Sequence, residues 1–181
     1  RWHIAGPGAI GLLYHSMLAS KADQQNSERP LLINRNLNLG FPKYRVRDLS
    51  GIEKSVTVDW FEGQHRINKL IITTKSYQVI DCIQALTSYL TPNCSIILLH
   101  NGLGIQQEAE IHWPHFQFYF ASSTEGVWKE SSDKIIHAGL GATVIGQQNL
   151  QAPDWWFQEF ATLRGFQWDQ NILNKLHLKV A

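Results

Sequence analysis

The sequence holds only two cysteines, Cys82 and Cys94, in 181 residues. Two thiols twelve positions apart form neither a metal-binding spacing nor a disulfide framework, and so point to reduced thiols in a cytoplasmic protein. Charge is also scarce: 17% of residues are Asp, Glu, Lys or Arg, with a net charge of +1. That leaves no support for a polyanion-binding surface, and no nucleic-acid partner is expected. No apolar run approaches the roughly 20 residues that span a bilayer, so no membrane partner is expected either. No repeat, low-complexity tract or leader-like segment stands out, since the first residues run straight into a glycine motif. What the chain does have is apolar content: 44% hydrophobic residues, with seven Trp. That suits one domain with a substantial core. Trp155, Trp156 and Trp168 read as core or interface packing rather than ligand stacking.

The most informative motif is Gly6-Pro7-Gly8-Ala9-Ile10-Gly11. It follows the short apolar run Trp2-His3-Ile4-Ala5 and precedes a stretch of helical periodicity. A G-x-G-x-x-G turn between a strand and a helix is a dinucleotide-binding fingerprint. The first Gly permits the tight turn. The second lets backbone approach a pyrophosphate, and the third lets helix pack on sheet. The helix N-terminus then offers N–H groups and partial positive charge to phosphate. The plainer alternative is an ordinary tight strand-to-helix turn.

The pattern predicts strands at 2–5, 31–33, 70–73, 95–99, 116–121, 134–137, 143–145 and 166–168. Segments 44–48 and 54–60, around Ser50-Gly51, predict a hairpin insertion. Helices are predicted at 10–20, about 77–90 and 153–164. The order argues for an α/β protein: a Rossmann-like, doubly wound, mostly parallel sheet with helices on both faces. Residues 171–181 begin another helix that stops without a cap, so continuation into a further domain is expected. The expected organisation is therefore a cofactor domain over 1–168, with 169–181 opening a helical C-terminal domain.

Cofactor choice is read at the end of the second strand. NAD-preferring sites place Asp or Glu there to bind the ribose 2′-hydroxyl. This chain has Ile33-Asn34-Arg35-Asn36 instead. An arginine can pair bidentately with a 2′-phosphate, which favours NADP(H); alternatively Arg35 is a solvated surface residue. Thr74 and Lys75 fall at the carboxyl edge of a predicted strand, where ligands of open α/β sheets sit. Lys75 is a candidate for a phosphate or a substrate carboxylate. Asn101, in His100-Asn101-Gly102-Leu103-Gly104, could bind the nicotinamide ribose, or could simply hold a left-handed turn. His100 is read as packed or solvated, not catalytic.

The glycine turn, Arg35, Thr74-Lys75-Ser76-Tyr77-Gln78, Leu99-His100-Asn101-Gly102-Leu103-Gly104 and Ile136-His137-Ala138-Gly139 occur in that order. Together they resemble the ketopantoate reductase (2-dehydropantoate 2-reductase) family over the whole chain. The resemblance implies an oxidoreductase that uses NADPH to reduce 2-dehydropantoate to (R)-pantoate, on the route to pantothenate and coenzyme A. It implies cofactor contacts from Gly6, Pro7, Gly8, Ala9, Ile10, Gly11, Arg35, Thr74, Lys75 and Asn101. It also implies that Lys75 and Asn101 line the cleft near nicotinamide and substrate. The family's general acid is a Lys on the first helix after the cofactor domain. Lys179 matches it, with Lys175 as the competing assignment. The helical domain that supplies most of the substrate pocket lies beyond these residues, so this piece alone is expected to bind NADP(H) and to turn over poorly. Two other readings stay open: a catalytically silent NADP(H)-binding module, and a reductase of another small 2-oxo acid.

Overall fold

A computed structural model describes residues 1–37, 39–100, 104–148, 150–174 and 176. In chain order the elements are β1 His3–Ala5, α1 Ala9–Gln25, β2 Leu31–Ile33, β3 Lys43–Arg47, β4 Glu53–Thr57, β5 Asp59–Trp60, β6 Ile67–Ile72, α2 Val79–Leu86, β7 Leu90–Leu99, α3 Ile105–His112, β8 Gln117–Ser123, β9 Gly126–Ser131, β10 Lys134–Gly139, β11 Thr143–Gly146, α4 Asp154–Ala161 and β12 Phe166–Trp168. The main sheet has the order β12-β11-β8-β7-β6-β1-β2-β5. From β5 to β8 every neighbouring pair is parallel. This six-strand run has the strand order of a dinucleotide-binding sheet. β11 then runs antiparallel to β8.

Parallel strands buried on both faces read as continuous apolar runs. That is why His3–Ala5 and Leu31–Ile33 are buried at every position. On one face, Trp2, Leu13, Leu18 and Trp156 join one cluster; on the other, Val79, Ile83, Leu86 and Ala109 join a second. Trp156 is fully buried, with the rings of Trp2 and Tyr119 edge-on at 5.4 and 4.9 Å. Trp168 meets Phe157 at 5.3 Å. Trp155, by contrast, is 57% exposed.

The periodicity did not disclose the second sheet, of order β4-β3-β10-β9. The β3–β4 hairpin replaces the helix that usually links the second and third strands of such a sheet. It pairs in parallel with β10, with Arg45 opposite Lys134, 89 residues further along the chain. The predicted 54–60 strand therefore splits at Val58: β4 stays in the small sheet, and β5 joins the main one beside β2. Helix α1 is sandwiched between the two sheets, and Leu12, Leu13, Tyr14, His15, Leu18 and Ala19 are all buried. Tyr44 of β3 pins it there: its hydroxyl donates to the Leu12 carbonyl at 2.7 Å and lies 2.9 Å from His15 Nδ1. Tyr44→Phe is expected to lower unfolding free energy by about 1–2 kcal/mol, the cost of stranding buried partners. Urea unfolding checks this, and an unchanged midpoint would show that the small sheet does not grip α1 through this hydroxyl.

Two other expectations change. The predicted 77–90 helix is shorter, because 3-10 turns occupy 76–78 and 87–89 and β7 begins at Leu90. Neither α3 nor β9 was read from the sequence. Among the described residues no helix is long and apolar enough to cross a membrane.

Candidate cofactor site

The main sheet reverses its winding at β1: the chain passes to β2 on one side and to β6 on the other. Ligands of open α/β sheets sit outside the carboxyl ends of the strands at such a point. The Gly6–Gly11 turn leaves β1 there, and Thr73, Thr74 and Lys75 leave β6 beside it.

Each glycine of the turn has its own geometry. Gly6 has φ of +100°, a conformation that side chains resist. Its carbonyl accepts the Gly8 N–H at 2.8 Å and the Thr73 hydroxyl at 2.8 Å. A Cβ on Gly11 would lie 2.1 Å from that same carbonyl oxygen and 2.6 Å from Thr73 Oγ1. A Cβ on Gly8 would meet nothing within 4 Å. So Gly6 and Gly11 are required by the protein's own packing, whereas the space at Gly8 is open. That is the cradle a diphosphate needs. No side chain caps α1 and its first turn carries no acid, so its N-terminal N–H groups and partial positive charge face the same opening.

Thr74 Oγ1 is buried and has no hydrogen-bond partner among the described residues. An orphaned hydroxyl at a crevice is what a ligand oxygen would satisfy. Lys75 is exposed, and its carbonyl accepts the Gln78 N–H at 2.8 Å. Arg35 is exposed in the 3-10 turn directly after β2, where its own N–H donates to Asn34 Oδ1 at 2.9 Å. No carboxylate among the described residues pairs with its guanidinium. Gly6, Pro7, Gly8, Ala9, Ile10, Gly11, Arg35, Thr74 and Lys75 thus all lie at the carboxyl edge of β1, β2 and β6, and the set fits a dinucleotide. Asn101, Lys175 and Lys179 lie outside the described residues. His100 is 8% exposed just beyond β7.

Two features escaped the sequence reading. Lys129 of β9 reaches the turn and donates to the Pro7 carbonyl at 3.1 Å. Glu125 and His137 form a buried pair, with Oε2 and Nε2 2.7 Å apart, and the same oxygen accepts the Gly141 N–H at 3.1 Å. That pair ties the start of β9 to the end of β10. His137 stood in a motif of the chain, but nothing in the sequence named its partner.

The family model of ketopantoate reductase PanE/ApbA matches residues 2–149. The chain belongs to this family. The 2-dehydropantoate 2-reductase of Vibrio cholerae is 32% identical over 81% of the chain and 47% of its own length. The Salmonella typhi enzyme of the same name is 29% identical, over 98% of the chain and 57% of its own length. The chain thus spans about half the length of these relatives. The PanE/ApbA ketopantoate reductase structure from Ralstonia eutropha superposes with a TM-score of 0.79 at 18% identity, covering 99% of this chain and 60% of that one. A D-mandelate dehydrogenase solved with NADH and anilino(oxo)acetate superposes at 0.74 and 18% identity, covering 98% of this chain and 59% of that one. Family and fold together imply a nicotinamide cofactor.

Proposed function

We propose that this chain binds NADP(H) and forms the cofactor unit of a reductase that converts 2-dehydropantoate to (R)-pantoate, a step toward pantothenate and coenzyme A. Residues 1–168 are the cofactor unit in this reading, and 169–181 open the helical unit that completes the substrate pocket. Both cysteines are free, in keeping with a cytoplasmic setting.

The observation that carries NADP(H) over NAD(H) is the end of β2. An unpaired arginine stands where an NAD site needs a carboxylate, and its planar fork matches a 2′-phosphate. When bound, the reduced nicotinamide supplies a hydride to the keto carbon of the substrate. Around it the turn from Gly6 to Gly11 holds diphosphate, and Thr74 Oγ1 donates to a cofactor oxygen. Lys75 meets a phosphate or the substrate carboxylate at the mouth of the crevice. Asn101 orients the ribose or the acid beside it. Lys179, with Lys175 competing, holds the proton that the developing alkoxide takes and stabilises that charge before transfer.

Fluorescence titration of the 181-residue chain with NADPH and NADH tests the reading. NADPH is expected to bind more tightly. Arg35→Ala is expected to weaken NADPH by about 2 kcal/mol, or roughly thirtyfold, while leaving NADH within about twofold. A wild-type preference for NADH would overturn the cofactor assignment. A second reading, reduction of another small 2-oxo acid with NADH, draws on the NADH-bound dehydrogenase that shares the fold. It predicts that same NADH preference, together with an insensitive Arg35.

A further inference from the structure

We propose that Lys129 is a cofactor ligand: its ammonium contacts the diphosphate over the glycine turn, so that the small second sheet takes part in dinucleotide binding. The inference rests on the dinucleotide reading above.

Among the described residues strand β9 is an edge strand, paired only with β10. Side chains alternate along it. Val127 packs against the cluster that contains α1. Lys129, two positions on, shares that face. Trp128 and Glu130 take the other: Trp128 is 52% exposed, and Glu130 pairs with Lys134 at 2.9 Å. Lys129 is thus aimed at the N-terminal end of α1, where its Nζ donates to the carbonyl of Pro7, between the first two glycines of the motif.

The other partnered lysines show why this contact is unusual. The Lys21 ammonium is saturated by the Gln158 and Glu159 carbonyls and the Thr162 hydroxyl. Lys69 is neutralised by Glu159, and Lys134 by Glu53 and Glu130. Lys129 has one neutral carbonyl and, among the described residues, no carboxylate. One carbonyl uses a single donor, so two N–H groups and the charge of this exposed ammonium have no partner among the described residues. That charge stands beside Gly8, whose Cβ position is open, and beside a helix start with no acid in its first turn. A diphosphate in the opening would gain a charge-assisted bond from a lysine that the fold holds at the turn.

The rival role is mechanical, in which Lys129 only clamps the turn through Pro7. Lys129→Gln separates the two, because glutamine keeps an N–H donor and loses the charge. NADPH titration of the 181-residue chain at low and high salt, with thermal melts alongside, provides the readout. Lys129→Gln and Lys129→Ala are expected to weaken NADPH about tenfold and flatten its salt dependence, with Lys129→Arg within about twofold of wild type. Lys129→Gln that binds like wild type, with the same salt slope, would sink the ligand role and leave the cofactor reading standing. A folded wild-type chain that binds neither nucleotide would take both down together.

Discussion

Gly11→Ala is expected to destabilise the fold by roughly 3 kcal/mol or more, whereas Gly8→Ala should leave stability nearly unchanged and weaken cofactor binding. The two substitutions add the same methyl group three residues apart. At Gly11 it would lie 2.1 Å from the Gly6 carbonyl oxygen, which already accepts from Gly8 and Thr73. Neither the oxygen nor the Thr73 hydroxyl can retreat without breaking the turn, and α1 must lift off β1. At Gly8 the backbone is extended, with φ of −79° and ψ of −175°, and the methyl meets no protein atom within 4 Å. Alanine is a poorer helix N-cap than glycine, but it lowers unfolded-chain entropy. The two small effects oppose each other and should cancel to within about 0.5 kcal/mol. The open space is where a diphosphate would lie, so Gly8→Ala should weaken NADPH by about tenfold or more. Urea unfolding and NADPH titration of both variants check the pair. Wild-type affinity in Gly8→Ala would show that the turn does not cradle phosphate, and wild-type stability in Gly11→Ala would refute the close approach of helix and sheet.

The same turn shows what the sequence discloses and what it hides. The glycines, Arg35 and Thr74–Lys75 were legible because each follows a short apolar strand, and parallel strands of one sheet bring their carboxyl ends to one edge. The main sheet was legible for the same reason. The small sheet was hidden, although its first hairpin was legible, because its two outer strands are polar and mark no shared core. Glu53–Thr57 alternates without an apolar face, and Gly126–Ser131 is half charged or hydroxylated. The pairing that joins its two hairpins is also distant in sequence: Val46 of β3 sits opposite Ile135 of β10. Helix α3 escaped because its buried face is only Gln106 and Ala109, while Ile111 points to solvent at 78% exposure. Lys129 was out of sight as a consequence: a lysine on an unrecognised strand has no address, and its partner lies 122 positions away. The buried helix α1 was recognised but underread. Its apolar residues ring the axis because two sheets face it, so no single stripe marks its length.

Acidification from neutral pH should destabilise the chain well before its carboxylates protonate, because two histidines are sealed in as neutral rings. His3 and His15 are each 1% exposed. Burial, and then the neighbouring His65, pushes His3 down to about 3. Burial, and then the Arg29 cation, pushes His15 down to about 4. In the unfolded chain both titrate near 6.5. Above about pH 6.5 both states hold neutral rings, so these residues confer no pH dependence. Between about pH 6.5 and about pH 4 the unfolded chain takes up protons that the folded chain refuses. Stability then falls with pH by about 1.4 kcal/mol per unit for each ring. Together they should remove about 4 kcal/mol between neutrality and about pH 5. Asp48, Glu53, Glu130 and Asp133, whose carboxyls hydrogen bonds hold below the usual range, add their losses only at still lower pH. Urea unfolding across this range gives the slope directly, and His3→Gln and His15→Gln should each remove about one proton from it. A slope that both variants leave untouched would mean that the rings titrate freely in the folded state. The outcome also bears on the cofactor site. His15 lies on α1, against the Tyr44 hydroxyl, and α1 carries the glycine turn at its start. Loss of NADPH binding in acid would therefore follow the loosening of this helix from the small sheet, and only a titration near neutral pH reads Arg35 and Lys129 themselves.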